Sequence, residues 1–595
     1  MKRAVLLILV AVLSALAIVP VIAQDAPNVV ILPVDQAQFL PGAMFDFRVE
    51  VRGVAELPEG FAVTVNGVAA GEFFGSEGTQ ENWEVGDPAS PVTSVIWRGL
   101  AAPEAGEYTI EVTAGATVES VTWVVREAQA GEARNVILFV ADGMTVSMIS
   151  AARAARGITE GRPNLPLALD GFDVIGLAST SSVDSVMADS ANTASAINTG
   201  HIGSINATGT YSDSSPDTLD DPRVETLAEI LKRTRNYAIG VVTTADFSDA
   251  TPAAVFAHGR NRADLNRNTY IVQALELGVD VYMGGGARRM IPMAVEGSRR
   301  ADERDLFAEY EAAGYTIVTS ATELEGALGE TPELLLGVFH PNDMNVWLDR
   351  NVYTDNIGDF TDQPGLPAMT LAALDVLAQN ENGFYLTVEA ASVDKQIHPL
   401  DQERALSDLI EFDNAIAAAQ AWVAENAPDT LIVITADHGH GYEVFGTVDV
   451  AEFNAAEDDL GRRNAIGVYN GAGYPDYAVD ENGYPDWDSA SVVLAGAVNN
   501  GPDRTENFQV SEVPRVPAID GGDGVFVDNP DDDANGIVQL GNLPTSSNSG
   551  VHTLQDVPVF AAGPGAECAM GTYHQSELFF CMAYALGLNP AEEGM

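Results

Sequence analysis

Five separated stretches of this 595-residue chain place carboxylates and imidazoles where a strand pattern ends or a helix pattern opens. Asp142 follows the apolar run Asn135 to Val140, and Glu389 follows Tyr385 to Val388. Asp394 and His398 stand i,i+4, a spacing that lets both face one ion from a helix. Asp437-His438 follows Leu431 to Thr435, His552 precedes the last apolar strand pattern, and Asp249 and Thr251 open a helix at Pro252. Mixed His and carboxylate sets suit zinc, whereas Asp142, Asp249, Thr251 and Glu389 offer the hard oxygens that suit magnesium. Ser190 heads a small-residue helical run that Gly200 closes. A hydroxyl there sees free backbone N–H groups and the positive helix end, which favours an alkoxide and a bound phosphoryl group. No His lies beside Ser190 in sequence, so a metal is the available means of lowering its pKa. Any one of these stretches alone reads as a helix cap or a satisfied surface group. Their convergence at strand ends is what points to a metal site.

The elements that must position these residues follow from the pattern. Apolar strand runs at 135–140, 238–242, 279–283, 334–338, 385–388 and 431–435 alternate with helical stretches such as 369–379 and 409–425. That grammar predicts an α/β domain, a doubly wound and mostly parallel central sheet with helices on both faces, over residues 134–595. Its ligands belong beyond the C-terminal strand ends. From 442 to 550 the alternation lapses into Gly, Asp, Asn and Pro, which reads as a surface insertion near the site; its acidic runs fit either a calcium site or a solvated face. Residues 24–128 show period-two patterning with frequent turns, as in Met44-Phe45-Asp46-Phe47-Arg48-Val49-Glu50-Val51, and predict a small all-β, Ig-like sandwich serving as a binding or spacer module. Residues 1–23 read as a secretory signal, with Lys2 and Arg3 before an apolar run and Val21-Ile22-Ala23 as the cleavage site; an uncleaved anchor is the rival. The expectation is an exported protein, periplasmic or extracellular, with no membrane association after cleavage. The net charge of −57 repels phosphate backbones and anionic lipid, which argues against nucleic acid or a membrane surface as a stable partner. A metal cluster can still invert the field locally for a small anion. Cys568 and Cys581 fit a disulfide in an exported chain, or a buried thiol at Cys581.

Six strings in this order resemble the alkaline phosphatase family: Val140 to Met144, Asp189-Ser190-Ala191, Asp249 to Ala253, Val388 to His398, Thr435 to His440 and His552-Thr553. Each is weak alone, and the set is specific. The resemblance implies phosphate monoester hydrolysis, one zinc on Asp394, His398 and His552, a second on Asp142, Asp437 and His438, and magnesium on Asp142, Asp249, Thr251 and Glu389. It further implies two in-line displacements through a phosphoseryl intermediate on Ser190, with Arg262 clamping the phosphoryl oxygens. Arg260 is set aside because i,i+2 on a helix puts it on another face. Lys395, one of three lysines in the chain, would help hold phosphate, restrained by Asp249. His440 is expected only behind the ligands, and His201, His258, His340 and His574 match no ligand position. Relatives are commonly dimers, so a homodimer is left open. The alternative within the superfamily is a phosphodiesterase or sulfate-ester hydrolase. The nucleophile segment lacks the Pro and Arg of the sulfatase string, and Asp249, Thr251 and Glu389 are third-metal ligands that the diesterases usually lack. A non-catalytic binding protein is a third reading, against which the intact ligand sets argue.

Overall fold

The period-two stretches near the start of the chain become two sheets in the computed structural model, which describes residues 27–157, 165–501, 504–539 and 541–593. The signal reading at 1–23 lies outside the described residues. One sheet joins Asn28–Leu32, Met44–Arg52, Ser90–Ala101 and Thr79–Val85; the other is built around Gly106–Ala114 and Thr117–Val125. Alternation sends Phe45, Phe47 and Val49 to the space between the sheets, where Trp97 stacks on Phe47 and Trp123 meets both Phe45 and Phe47 edge-on. The opposite face of the same strand carries Asp46, Arg48 and Glu50. These are buried too, because the 211–225 segment of the following region packs over them, and Tyr211 and Val224 join the core of the β unit. A freely tethered spacer would leave that polar face wet.

The larger region centres on a ten-stranded sheet. Its strands are β1 (Asn135–Ala141), β2 (Val174–Ser179), β3 (Ala238–Asp246), β4 (Val281–Gly285), β5 (Thr316–Val318), β6 (Leu335–Val338), β7 (Phe384–Ala390), β8 (Thr430–Thr435), β9 (Val557–Ala562) and β10 (Gly571–His574). The spatial order is β5-β6-β4-β3-β7-β1-β8-β9-β2-β10, with β9 alone antiparallel to its neighbours. Strand β1 is buried along its whole length between β7 and β8, as its unbroken apolar run requires. Each large side chain so buried contributes roughly 1.5–3 kcal/mol relative to exposure. Short β2, β5 and β10 were not legible as strands; β5 and β10 lie at the sheet edges. Three helices matter for the site: α1 (Ser190–Thr199), α2 (Ala250–Ala253) and α3 (Ser392–Ile397).

The 442–550 stretch contains more order than its composition suggests. Tyr442–Asp449 pairs with Ile466–Gly467 and with Val492–Val498, and Phe453, Phe508 and Ile537 close a small core beside that sheet. Among the described residues no three acids of this stretch converge as metal ligands would. Cys568 and Cys581 form a disulfide. Among the described residues no helix is long and apolar enough to cross a membrane.

Candidate metal and phosphate site

The topology carries the chemistry to the C-terminal ends of three adjacent central strands, β7, β1 and β8. Strand β1 leads into Asp142, whose amide donates to Ala390 O of neighbouring β7; β7 carries Glu389; and β8 is followed, after Ala436, by Asp437-His438. Gly143 makes the turn possible. Its φ of 70° is in the left-handed region, its N–H donates to Asp437 Oδ1 at 2.9 Å, and an added Cβ would lie 3.1 Å from that of Asp394. Asp394 and His398 share the α3 face, as their spacing predicts, with Oδ2 and Nε2 3.3 Å apart. His552 arrives on a two-residue strand paired with Gly439-His440.

Two ligand groups converge: Asp394, His398, His440 and His552 in one, Asp142, Asp437 and His438 in the other. Hydrogen bonds sort the imidazoles. His398 Nδ1–H donates to Gly550 O at 2.6 Å and His552 Nδ1–H to Ala188 O at 2.9 Å, so both rings turn Nε2 toward Asp394; burial lowers their pKa values, but the Asp394 carboxylate outweighs it, raising His398 and lifting His552 to about 8, so a cation bound there would take the place of an Nε2 proton. His440 is the reverse. Its Nδ1 accepts the Gly441 N–H at 2.9 Å, so the proton of the neutral ring sits on Nε2, 3.5 Å from Asp394 Oδ1 and without a hydrogen-bond partner, and the ring lies beside the carboxylate with no lone pair turned toward it. His438 Nε2 lies 3.4 Å from Asp142, 3.3 Å from Asp437 and 3.3 Å from Ser190 Oγ. Burial, reinforced by the charge of His552, drives the His438 pKa down to about 3 and keeps the ring neutral. One oxygen each of Asp142, Asp394 and Asp437, and Thr251 Oγ, are buried without a hydrogen-bond partner. Burial and repulsion from neighbouring carboxylates push Asp142 well up and Glu389 to about 8. Orphaned oxygens, imidazole Nε2 atoms converging on carboxylates and crowded negative charge fit divalent cations.

The third set is looser. Asp142, Asp249 and Glu389 do not form a tight group, and Glu389 hydrogen-bonds to Thr243 instead. Asp249 caps α2, accepts from Arg262 at 2.8 Å and takes Lys395 Nζ at 2.9 Å. Burial raises the Asp249 pKa, but Lys395, Arg262 and Arg267 together outweigh it and hold the carboxyl well below its usual range.

Ser190 is the first residue of α1. Asp189 caps that helix, accepting from Ala191 and Asn192, and leaves Ser190 buried at the positive helix end. Arg262 reaches Asp249 and lies 3.5 Å from Asp189, beside the serine. The helix-face argument against Arg260 does not hold, because residues 257–262 are not helical. Arg260 instead turns away and grips backbone carbonyls of Asp213 and Asp217. Sequence reasoning missed Asp343, 3.6 Å from Lys395, and Arg267, which pairs with Asp246; both sit in contexts without a motif, although Arg267 follows Arg262 by five residues. The remaining histidines have structural partners: His201 with Tyr211, His258 with Glu229 and Gly209, His574 with Ser181, and His340 with the Asn342 amide.

A family model described as alkaline phosphatase matches residues 133–501. The chain is 29% identical over 498 residues to the alkaline phosphatase of Gadus morhua, covering 76% of this chain and 92% of that protein. It is 35% identical over 351 residues to the streptomycin-6-phosphate phosphatase of Streptomyces griseus, covering 52% and 75% respectively. The fold is shared with the alkaline phosphatase of Thermus thermophilus (TM-score 0.54, 23% identity, 78% of this chain and 95% of that one) and with that of the Antarctic bacterium TAB5 (0.51, 21%, 78% and 100%). Sequence match, strand order and the carboxylate and imidazole groups at the central strand ends agree: this chain belongs to the alkaline phosphatase family, enzymes that hydrolyse phosphate esters.

Proposed function

We propose that the chain hydrolyses phosphate monoesters through a phosphoseryl intermediate at Ser190, with two zinc ions and one magnesium ion. The observation that carries this reading is the orientation of two imidazoles: His398 and His552 spend Nδ1–H on backbone carbonyls and turn Nε2 toward Asp394. Asp394, His398 and His552 would hold one zinc, Asp142, Asp437 and His438 the other, and Asp142, Asp249, Thr251 and Glu389 the magnesium. When bound, these ions lower the pKa of the serine hydroxyl and of water and offset charge on the leaving oxygen.

The protein's own groups do the rest. Arg262 orients the phosphoryl group with two parallel N–H donors, and Lys395 adds a positive charge that Asp249 and Asp343 keep in place. Ser190 Oγ attacks phosphorus in line; the bond from phosphorus to the ester oxygen breaks, and the alcohol departs with that electron pair and gains a proton. Arg262, Lys395 and the positive end of α1, whose Ala191 and Asn192 N–H groups are held by Asp189, stabilise the added negative charge. Water then attacks phosphorus from the vacated side, Ser190 Oγ leaves and regains a proton, and inorganic phosphate is released.

Trapping with radiolabelled phosphate at acid pH tests this. Wild type is expected to label on Ser190, and Ser190→Ala to lose the label and at least about a thousandfold in kcat while retaining zinc. Label on another residue sinks the assignment. Faster turnover of a diester or a sulfate ester than of a monoester would replace the reaction class.

A further inference from the structure

The polar face of the Met44–Arg52 strand is buried against the 211–223 loop, which packs beside the stretch carrying Arg262, the proposed phosphate clamp. Arg48 has no exposed side-chain surface; its guanidinium lies 2.9 Å from Asp213 Oδ2, 2.9 Å from Glu81 and 3.5 Å from Asp220 Oδ2. Glu50 accepts the Ser214 N–H at 2.8 Å, Trp83 Nε1–H donates to Ser214 Oγ at 3.1 Å, and Arg98 donates to Asp220 O at 2.8 Å. Asp213, Asp220 and Asp221 come close enough for a cation, and Arg48 already supplies positive charge there.

The same loop is gripped from its other side. Arg260 donates one guanidinium nitrogen to Asp213 O and the other to Asp217 O, both at 2.9 Å, while its own N–H donates to Thr218 O at 2.9 Å. Gly259 and Thr208 exchange backbone hydrogen bonds. Residues 257–262 have no helix to hold them, so these contacts set the path of the chain into Arg262 two residues later. The segment before the loop is anchored to the nucleophile helix, since Asn206 N–H donates to Asp189 Oδ1 at 2.8 Å.

We propose that the N-terminal β unit is part of the phosphate site: Arg48 pins the 211–223 loop, the loop holds Arg260, and Arg260 fixes the extended stretch that aims Arg262. Arg48 and Arg260 are positioning residues, acting through Arg262. The inference rests on the reading of Arg262 as the phosphate clamp. Guanidinium–phosphate recognition needs orientation as well as charge, so a clamp on a loosened stretch loses affinity without disturbing metal ligands gathered at the central strand ends.

The test uses the full-length, metal-loaded enzyme, with p-nitrophenyl phosphate as substrate and inorganic phosphate as inhibitor. Arg48→Met and Arg260→Met are each expected to raise KM and the phosphate Ki about three- to tenfold, with zinc content unchanged. On an Arg262→Ala background neither should add a further change, which separates positioning of the clamp from general loosening. If Arg48→Met does not fold, Arg260→Met, whose side chain is partly exposed, carries the same test. Wild-type Ki in a folded Arg260→Met or Arg48→Met enzyme, or a full additional loss on the Arg262→Ala background, overturns the proposal. An Arg262→Ala enzyme with unchanged phosphate inhibition would remove the clamp reading itself and this inference with it.

Discussion

Single positions decide whether the ligands can converge at all. Gly143 adopts a left-handed φ between Asp142 and the chain that follows, where an added Cβ would come within 3.1 Å of Asp394 Cβ, closer than ordinary van der Waals contact. Gly143→Ala imposes both strain and a crowded contact, and we expect at least about a tenfold drop in zinc affinity with a smaller loss of fold stability. Zinc titration of the metal-depleted variant checks this, and unchanged affinity would show that the turn tolerates a side chain. Lys395 poses a different question, because its charge must persist at alkaline pH. Burial lowers its pKa, but Asp249 and Asp343 outweigh that and hold it above the ordinary lysine range. Lys395→His substitutes a group that ordinarily loses its proton near pH 6.5, so inhibition by phosphate should weaken progressively as pH rises through about 6 to 8. A variant whose phosphate inhibition tracks wild type across that range contradicts the role given to Lys395.

Helix and strand ends explain why much of this site could be read from sequence. Unbroken apolar runs flag β1, β7 and β8, and Asp142, Glu389 and Asp437-His438 sit where those runs close, so the placement follows from strand topology alone. The i,i+4 rule places Asp394 against His398. The tautomers of His398, His552 and His440 were not legible, because their partners Gly550 O, Ala188 O and Gly441 N–H are backbone groups brought in by tertiary contacts. Equally hidden was the fate of the polar face of Met44–Arg52, since alternation gives the two faces of a strand but not what covers them. Helix α1 also carries a prediction. Asp189 caps its first turn and takes the Asn206 amide, so Asp189→Ala should lower stability by about 1 kcal/mol and slow turnover by freeing the turn that presents Ser190. Denaturant melts beside kcat would reveal it, and a loss of stability with turnover intact would separate the cap from the chemistry.

Across the whole molecule, acidity has a local focus with a measurable sign. Asp221 is buried beside Asp213, Asp220 and Arg260, and burial followed by repulsion from Asp213 lifts its pKa to about 7. The unfolded carboxyl titrates near 4, so between about pH 4 and 7 the folded chain retains a proton that the unfolded chain releases. Stability from this group is therefore present at the acid end of that window and lost as pH rises through about 7. Asp221→Asn keeps an acceptor for the Asp213 N–H, and it should flatten the pH dependence of Tm over that window and raise Tm at pH 8 relative to wild type. Identical Tm profiles for variant and wild type would place the carboxyl at its ordinary pKa.

The site also has an order of arrival. Ser190 meets His438 across 248 residues, Gly143 meets Asp437 across 294, and Ala188 meets His552 across 364. A chain leaving the ribosome N-terminus first exposes helix α1 long before either imidazole exists, so no truncated intermediate holds the complete set of converging side chains. Ions that need the whole set must then be taken up where the complete chain folds, and the ion supply at that place sets how much enzyme becomes active.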